Sequence, residues 1–236
     1  MGLTKSAGNM YDWVSHTHAH LGGECPHGCS YCYVGKNRFG RAAKYTGPIR
    51  LIKKELEVYY GEGRTIFLEH CNDLFAAEIP VAWIMAIFEH CKRFPKNTYV
   101  FQTKNPRRMA TLFECGKFPQ NVILGATIES NQWHQDQMGS APDPLWRLMA
   151  MKDLAGKCET FITVEPVMDM DPPYFARLIV AALPSFVNIG ADSKGCGLPE
   201  PKTADLTAFI KALQFGGVTI RKKANLRRLG FDVEER

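Results

Sequence analysis

Seven short segments rich in β-branched and aromatic residues punctuate the chain, and stretches of helical periodicity separate them. The segments span residues 16–21, 65–70, 98–103, 122–127, 160–165, 185–191 and 218–221. Their length and composition predict strands. Between them, residues 48–59 place Ile49, Ile52, Leu56 and Tyr59 on one face, with Pro48 at the first helical position. Residues 80–94 repeat the design: Pro80 opens, then Ile84, Ile87, Phe88 and Cys91 align. Later stretches align Met109, Leu112 and Phe113, then Leu145, Leu148 and Met149, then Phe175, Leu178 and Ile179, then Leu206, Phe209 and Ile210. Six strand–helix units followed by a seventh strand predict an α/β fold of parallel strands with outer helices. The strands either close into a partial (β/α)6 barrel or lie open and doubly wound. In both, ligands gather at the carboxyl ends of the strands.

The whole of residues 1–236 reads as one domain, with no repeat or linker. Apolar residues make up 45% of the chain, enough for a core. The longest apolar run, 81–88, is too short to cross a bilayer, and the polar start is no secretory signal. Gly2 and Ser6 fit the loose myristoylation pattern, which chance often produces. Eight cysteines without a small secreted frame point to a reducing cytoplasm. The net charge is +5. Residues 33–47 carry four positive charges and no negative one, and residues 221–228 carry five positives in eight. Such runs either meet phosphates or form a solvated basic surface.

Three cysteines cluster at Cys25, Cys29 and Cys32, spaced C-x3-C-x2-C within "ECPHGCSYCY". The loop 22–34 directly follows the first strand, on the ligand-bearing edge. A structural zinc or a cubane iron–sulfur cluster held by protein alone asks for four ligands. Two readings stand. Zinc would take one of His16, His18, His20 or His27 as its fourth ligand. A cluster would keep one iron open for substrate or cofactor.

C-x3-C-x2-C with an aromatic residue, Tyr31, before the last cysteine resembles the signature of radical S-adenosylmethionine enzymes. The resemblance implies a [4Fe–4S] cluster on Cys25, Cys29 and Cys32, with S-adenosyl-L-methionine on the open iron. It implies reductive cleavage of that cofactor to a 5′-deoxyadenosyl radical, and an external flavodoxin- or ferredoxin-like electron donor. It also implies a partial (β/α)6 barrel with this loop after strand one. "CNDLF" (71–75), "FQTKNPRRM" (101–109), "NVILGATIESN" (121–131), "TVEPVMD" (163–169) and "NIGADSKG" (188–195) are similar to a phage-associated radical-SAM-like family of uncharacterised function. Spore photoproduct lyase-like proteins share only the cysteine loop. A rival of another class is a non-catalytic iron–sulfur or zinc protein that binds a nucleic-acid or protein partner.

Other polar residues at strand ends are candidates for holding the cofactor. The superfamily often carries Gly-Gly-Glu after strand two, whereas this chain has "EHCND". Glu69 then stands in for the glutamate, with Asn72 and Asp73 as rivals. Glu129 and Ser130 resemble a ribose-contacting position, and Asp192 follows strand six. Each would otherwise be a helix cap or a loop end. Lys104, Glu165 and Cys71 are candidates for the chemistry itself: a cation for carboxylate or phosphate, an inward acid, and a hydrogen-atom donor shared with Cys196. Charges at these positions otherwise pair with one another, and a lone cysteine is otherwise a small apolar residue. His16, His18 and His20 alternate on one strand face, as polar lining of the barrel or a second metal site. The loop 130–144, with Trp133 and His134, is long enough for a lid. Tyr33, Phe39 and Tyr45 among the basic residues suit a nucleotide or nucleic-acid substrate.

Overall fold

The computed structural model describes residues 2–36 and 43–233. Its strands are β1 (Thr4–Lys5), β2 (His16–His18), β3 (Leu21–Gly22), β4 (Arg50–Leu51), β5 (Thr65–Leu68), β6 (Thr98–Thr103), β7 (Val122–Thr127), β8 (Glu159–Val164), β9 (Phe186–Ile189) and β10 (Ile220–Lys222). The helices are α1 (Tyr33–Lys36), α2 (Val81–Lys92), α3 (Pro106–Glu114), α4 (Gln135–Met138), α5 (Pro144–Lys152), α6 (Pro172–Ala181) and α7 (Thr203–Phe215). One sheet runs β1-β2-β5-β6-β7-β8-β9-β10. Its seven strands from β2 onward pair in parallel, and β1 adds antiparallel to β2. The sheet begins at β1 and ends at β10, so the barrel is partial and all seven expected parallel strands are present. Asp143 and Asp171 cap α5 and α6, accepting from Leu145 N (2.7 Å) and Tyr174 N (3.1 Å). Each cap is followed by a proline, whose fixed φ starts the helix without losing a needed donor.

Register sorts the side chains onto two faces. Ile66 and Leu68 of β5, Tyr99 and Phe101 of β6, and Ile162 and Val164 of β8 face the helices. They pack there with Ile84, Ile87 and Phe88 of α2 and with Phe175 of α6. The alternate residues Phe67, Val100, Ile123, Phe161 and Phe186 fill the inside of the barrel with Tyr11 and Val14. Phe161 and Phe186 stack at 5.3 Å between ring centroids. Room for them comes from Gly125, where an added Cβ would stand 2.2 Å from the Phe161 ring. Above these aromatics lies a polar layer. Tyr11 Oη donates to Gln102 Oε1 (2.8 Å) or shares a proton with Thr163 Oγ1 (2.7 Å), and Gln102 Nε2 donates to Thr127 Oγ1 (2.7 Å).

The structure corrects four expectations. Residues 48–59 form no α-helix: β4 pairs antiparallel with β3, and a 3-10 turn covers Lys53–Glu57. The chain is pulled extended because Ile52 N donates to His20 O (2.8 Å) and Arg50 gathers the carbonyls of Ala43, Lys44, Thr46 and Pro48. The first strand breaks after His18 and resumes as β3 in that separate ribbon. On α5 the buried face runs through Pro144, Arg147, Leu148 and Met151, while Met149 is 61% exposed. Finally, His16 and His18 pair in register with Ile66 and Leu68, so this stripe faces the helices and does not line the barrel.

Candidate active site

The cysteine loop leaves β3 and crosses the carboxyl end of the barrel. Cys25, Cys29 and Cys32 are free and half-buried. The loop is tied on two sides. From the 130–144 connection, Ser30 N donates to Gln137 O (2.9 Å), Ser140 N to His27 O (2.9 Å) and Cys29 Sγ to Met138 O (3.3 Å). Gly139 lets the two segments touch: its φ is +61°, and a Cβ there would sit 2.0 Å from His27 O. That connection is therefore a bracket for the cysteine loop, with α4 inside it. From below, His27 Nε2 meets Asp73 Oδ2 at 2.8 Å. Asp73 also accepts from Lys104 N (2.7 Å) and Thr103 Oγ1 (2.7 Å). Burial alone would raise the Asp73 carboxyl, but the His27 bond and these donors outweigh it and hold it below the usual range.

The surroundings of Cys25 and Cys29 disfavour their charged forms. Burial pushes Cys25 up to about 12, with Asp73, Cys32 and Cys29 adding to the rise. Burial also raises Cys29, against the pull of Lys104. Three neighbouring thiolates in such a place need a positive centre to form. Among the described residues, no three His, Cys, Asp or Glu side chains converge as ligands of one metal ion. A cubane makes a different demand, since each thiolate takes its own iron and the sulfurs share a space, not a point. Three free cysteine side chains on one loop are a donor set of the right number and chemistry for that demand.

Tyr31, between the second and third cysteines, leads into a buried charge cluster. Its hydroxyl donates to Glu129 Oε1, and Lys104 Nζ contacts the same oxygen. Lys104 Nζ is also 2.8 Å from Tyr31 Oη and 4.6 Å from the centre of its ring. On the far side Arg147 Nη1 donates to Glu129 Oε2 (2.7 Å) and Thr127 O (2.9 Å), and Arg147 Nε to Pro142 O (2.5 Å). Burial alone would raise the Glu129 carboxyl; Arg147 and Lys104 more than reverse this and hold it far below the carboxylate range. Two cations on one carboxylate leave a net positive charge beside the cysteine loop.

The other candidates separate. Glu69 is buried at φ +56° and turned away from the site. Its carboxylate accepts from His20 N (2.7 Å), His20 Nδ1 (2.7 Å) and Leu21 N (3.0 Å). Ser130 Oγ is occupied with Asp169 O (2.5 Å) and Gln132 N (2.9 Å). Asp192 organises its own loop through Lys194 N (2.8 Å) and Cys196 N. Asn72 Nδ2 reaches only Gly23 O, at 3.4 Å. Glu165 pairs with Lys223 Nζ (2.5 Å) and Asn225 Nδ2 (2.8 Å), tying β8 to the segment after β10. Cys71 is buried beside Cys32, with the hydroxyls of Tyr33 and Tyr45 hydrogen-bonded to its sulfur; burial raises it to about 11. Cys196, like Cys29, packs against the cluster of Tyr31, Met138, Met168 and Leu198.

Arg147, buried and paired with Glu129, is not among the residues expected from the sequence. The available signal was its place on the stripe Pro144–Leu148–Met151, where a cation has to be buried and therefore partnered. The basic runs also read differently in place. Lys44 is bound to Ala19 O (2.7 Å) and Glu55 (3.1 Å), Arg221 lies 3.5 Å over the Phe186 ring, and Arg228 pairs with Glu200. Phe39, the middle aromatic of the first run, lies outside the described residues.

Residues 9–169 match the model of a protein family of unknown function (DUF5131), and the chain belongs to that family. No curated protein matches it. Among solved structures it is similar to mutant spore photoproduct lyase with bound AdoMet and dinucleoside spore photoproduct. The TM-score is 0.57 and the identity 12%, over 88% of this chain and 63% of that one. A second mutant of that lyase gives a TM-score of 0.60 at 11% identity, over 92% and 79% of the two chains. The lyase complexed with dinucleoside spore photoproduct gives 0.54 at 14%, over 79% and 58%. The chain thus spans less than two thirds of the first of these proteins, and the likeness establishes a shared fold. No helix among the described residues is long and apolar enough to cross a membrane.

Proposed function

We propose that the protein is a radical S-adenosylmethionine enzyme, with Cys25, Cys29 and Cys32 holding a [4Fe–4S] cluster whose fourth iron takes S-adenosyl-L-methionine. One observation carries the reading: the three-cysteine loop lies across the carboxyl end of a partial barrel, and Tyr31 couples it to Lys104, Glu129 and Arg147. When bound, the cluster and cofactor supply a 5′-deoxyadenosyl radical, using one electron from a flavodoxin- or ferredoxin-like donor. The fold shared with a lyase that binds AdoMet supports this. The phage-associated resemblance of the strand-end blocks belongs to the same reading.

The residues divide the work. Lys104, which is partly open to solvent while Glu129 is sealed, offers its ammonium to the cofactor carboxylate. Glu129 and Arg147 fix the position of that ammonium and of Tyr31. Cys71 holds a hydrogen atom on sulfur next to Cys32. Breaking its S–H bond while a C–H bond forms on a substrate radical would leave a thiyl; Tyr33 or Tyr45 would restore the thiol by giving its O–H hydrogen atom, the unpaired electron then resting on the tyrosine oxygen. Glu69, Ser130 and Asp192 serve the scaffold through the bonds described above.

For substrate, the reading favours a nucleotide or nucleic acid. The lyase with this fold holds a dinucleoside, and exposed aromatic surface at Trp133 (50%) and Tyr33 (41%) flanks the site. Much of the basic charge is paired internally, so binding should show only a shallow salt dependence, and salt-indifferent binding counts against this class. The decisive experiment is anaerobic reconstitution followed by dithionite and S-adenosylmethionine. The expected result is iron and sulfide bound by the native chain, 5′-deoxyadenosine formed, and both lost in Cys25→Ala. A cluster-loaded protein that leaves S-adenosylmethionine intact would overturn the proposal in favour of a non-catalytic iron–sulfur protein.

A further inference from the structure

On the helix side of β2 lies a closed polar network that the proposed chemistry does not use. His90 Nε2 is 2.8 Å from Val58 O, and His90 Nδ1 is 2.8 Å from His20 Nε2. His20 Nδ1 is 2.7 Å from Glu69 Oε1. All three side chains are buried, with residue exposures of 2%, 0% and 3% for His90, His20 and Glu69. A carbonyl stands at one end and a carboxylate at the other. The three contacts between them need three hydrogens, and two neutral imidazoles bring only two.

Tyr60 does not resolve the shortfall. Its hydroxyl is 3.0 Å from His20 Nε2. If it donates to that nitrogen, His90 must donate there too, from Nδ1. The other nitrogen of a neutral His90 then faces the Val58 carbonyl with a bare lone pair. Every arrangement that satisfies the contacts contains one additional hydrogen.

We propose that Glu69, His20 and His90 share one proton beyond the count of a carboxylate and two neutral imidazoles, and that this proton locks the base of the cysteine loop. The same Glu69 carboxylate grips the amides of His20 and Leu21, which lead through Gly22 and Gly23 into the cysteines. The surroundings place the charge. His20 lies against the carboxylate, while burial, then His20 itself and Arg93 at the end of α2, push His90 down to about 4 against the Val58 hydrogen bond. His18 is pushed down to about 4 by burial and stays neutral, its ring nitrogens without hydrogen-bond partners. Glu55 of the 3-10 turn stands 3.7 Å from His18 and is paired with Lys44. Burial keeps Tyr60, Tyr99 and Cys91 neutral and lowers His70, while Lys53, Glu57 and Glu89 line the groove beside His90 at the outer end. The shared proton is therefore the partner of Glu69. Its loss leaves two bare nitrogens facing at 2.8 Å, or frees Glu69 from the ring. A groove lined by Leu51, Leu56, Ala86, His90 and Arg93 brings solvent to the outer end of the network.

The test uses the full chain labelled with nitrogen-15 histidine and needs neither cluster nor cofactor. Long-range proton–nitrogen correlation spectra are recorded from pH 6 to pH 10. At pH 7.5 both ring nitrogens of His20 should be protonated, and only Nε2 of His90. As the pH rises, His20 should lose one proton, and exchange of the Leu21 amide should then rise about tenfold beyond the base-catalysed trend. In Tyr60→Phe the doubly protonated His20 should persist. In His90→Phe it should be neutral at pH 7.5. A bare nitrogen on His20 at pH 7.5 in the native chain, loss of the proton in Tyr60→Phe, or deprotonation without faster Leu21 exchange overturns the proposal. These outcomes leave the radical reading untouched, because they concern only the scaffold.

Discussion

Glu69 and Glu129 stand at comparable places, each just past the carboxyl end of a strand and each sealed from solvent, yet the chain treats them in opposite ways. Glu129 points into the barrel and is held by two full cations, Arg147 and Lys104. Glu69 turns outward through a left-handed backbone and is held by two amides and a histidine. The inward acid leaves a net positive charge next to the cysteines and so can take part in binding an anion. The outward acid is locally balanced and anchors the loop. The direction of the side chain, more than residue type or burial, decides which of the two lies beside the cysteines.

The largest effect expected of this contrast is at Arg147. Arg147→Met strands a buried carboxylate and should cost about 3–5 kcal/mol in denaturant unfolding. Adding Glu129→Gln should recover part of the loss, and a double mutant no more stable than the single one would break the pairing. Glu69→Gln keeps the shape and some of the acceptors but weakens the grip on His20, so about 1–3 kcal/mol is expected from the same measurement. Acid provides a third test. Glu129, Glu69 and Asp73 all sit below the usual carboxylate range in the folded chain. Their contribution is complete above the unfolded value and disappears as pH falls through the folded one. Stability should therefore start to fall below about pH 4, by about 1 kcal/mol per group for each further unit. A chain equally stable at pH 3 and pH 6 would show that the carboxylates are not held as described. The smallest effect should come from the solvated pair Arg107–Asp153, 2.9 Å apart with side chains 77% and 46% exposed. Arg107→Ala should change stability by about 0.5 kcal/mol or less.

The alternation of strand and helix patterns was enough to predict seven parallel strands, because buried parallel strands leave apolar, β-branched runs and their helices an apolar stripe. It failed at 48–59, where Ile49, Ile52 and Leu56 carry helical spacing but Arg50 and Ile52 bind backbone groups distant in sequence. That the three cysteines, Tyr31, Lys104 and Glu129 come together was legible because all of them follow strand ends in the sequence. The orientation of Glu69 was not, since a single left-handed residue reverses it and nothing in "EHCND" marks that turn. Arg147 was hidden by the same periodicity that identified its helix: the apolar stripe was drawn through Met149 on the wrong side. His16, His18 and His20 were assigned correctly to one face. Which face that was depended on pairing with β5, and register across strands does not show in one segment alone.

Tyr11 and Trp13 seal the amino-terminal end of the barrel against Phe161 and Phe186, with Tyr11 stacked on Trp13 at 5.3 Å. The barrel thus has an aromatic floor, and the cysteine loop lies across its opposite, carboxyl end. A guest that entered at the carboxyl end would meet the cysteines first and then the polar layer of Gln102 and Thr163, and while it stayed it would screen both from solvent.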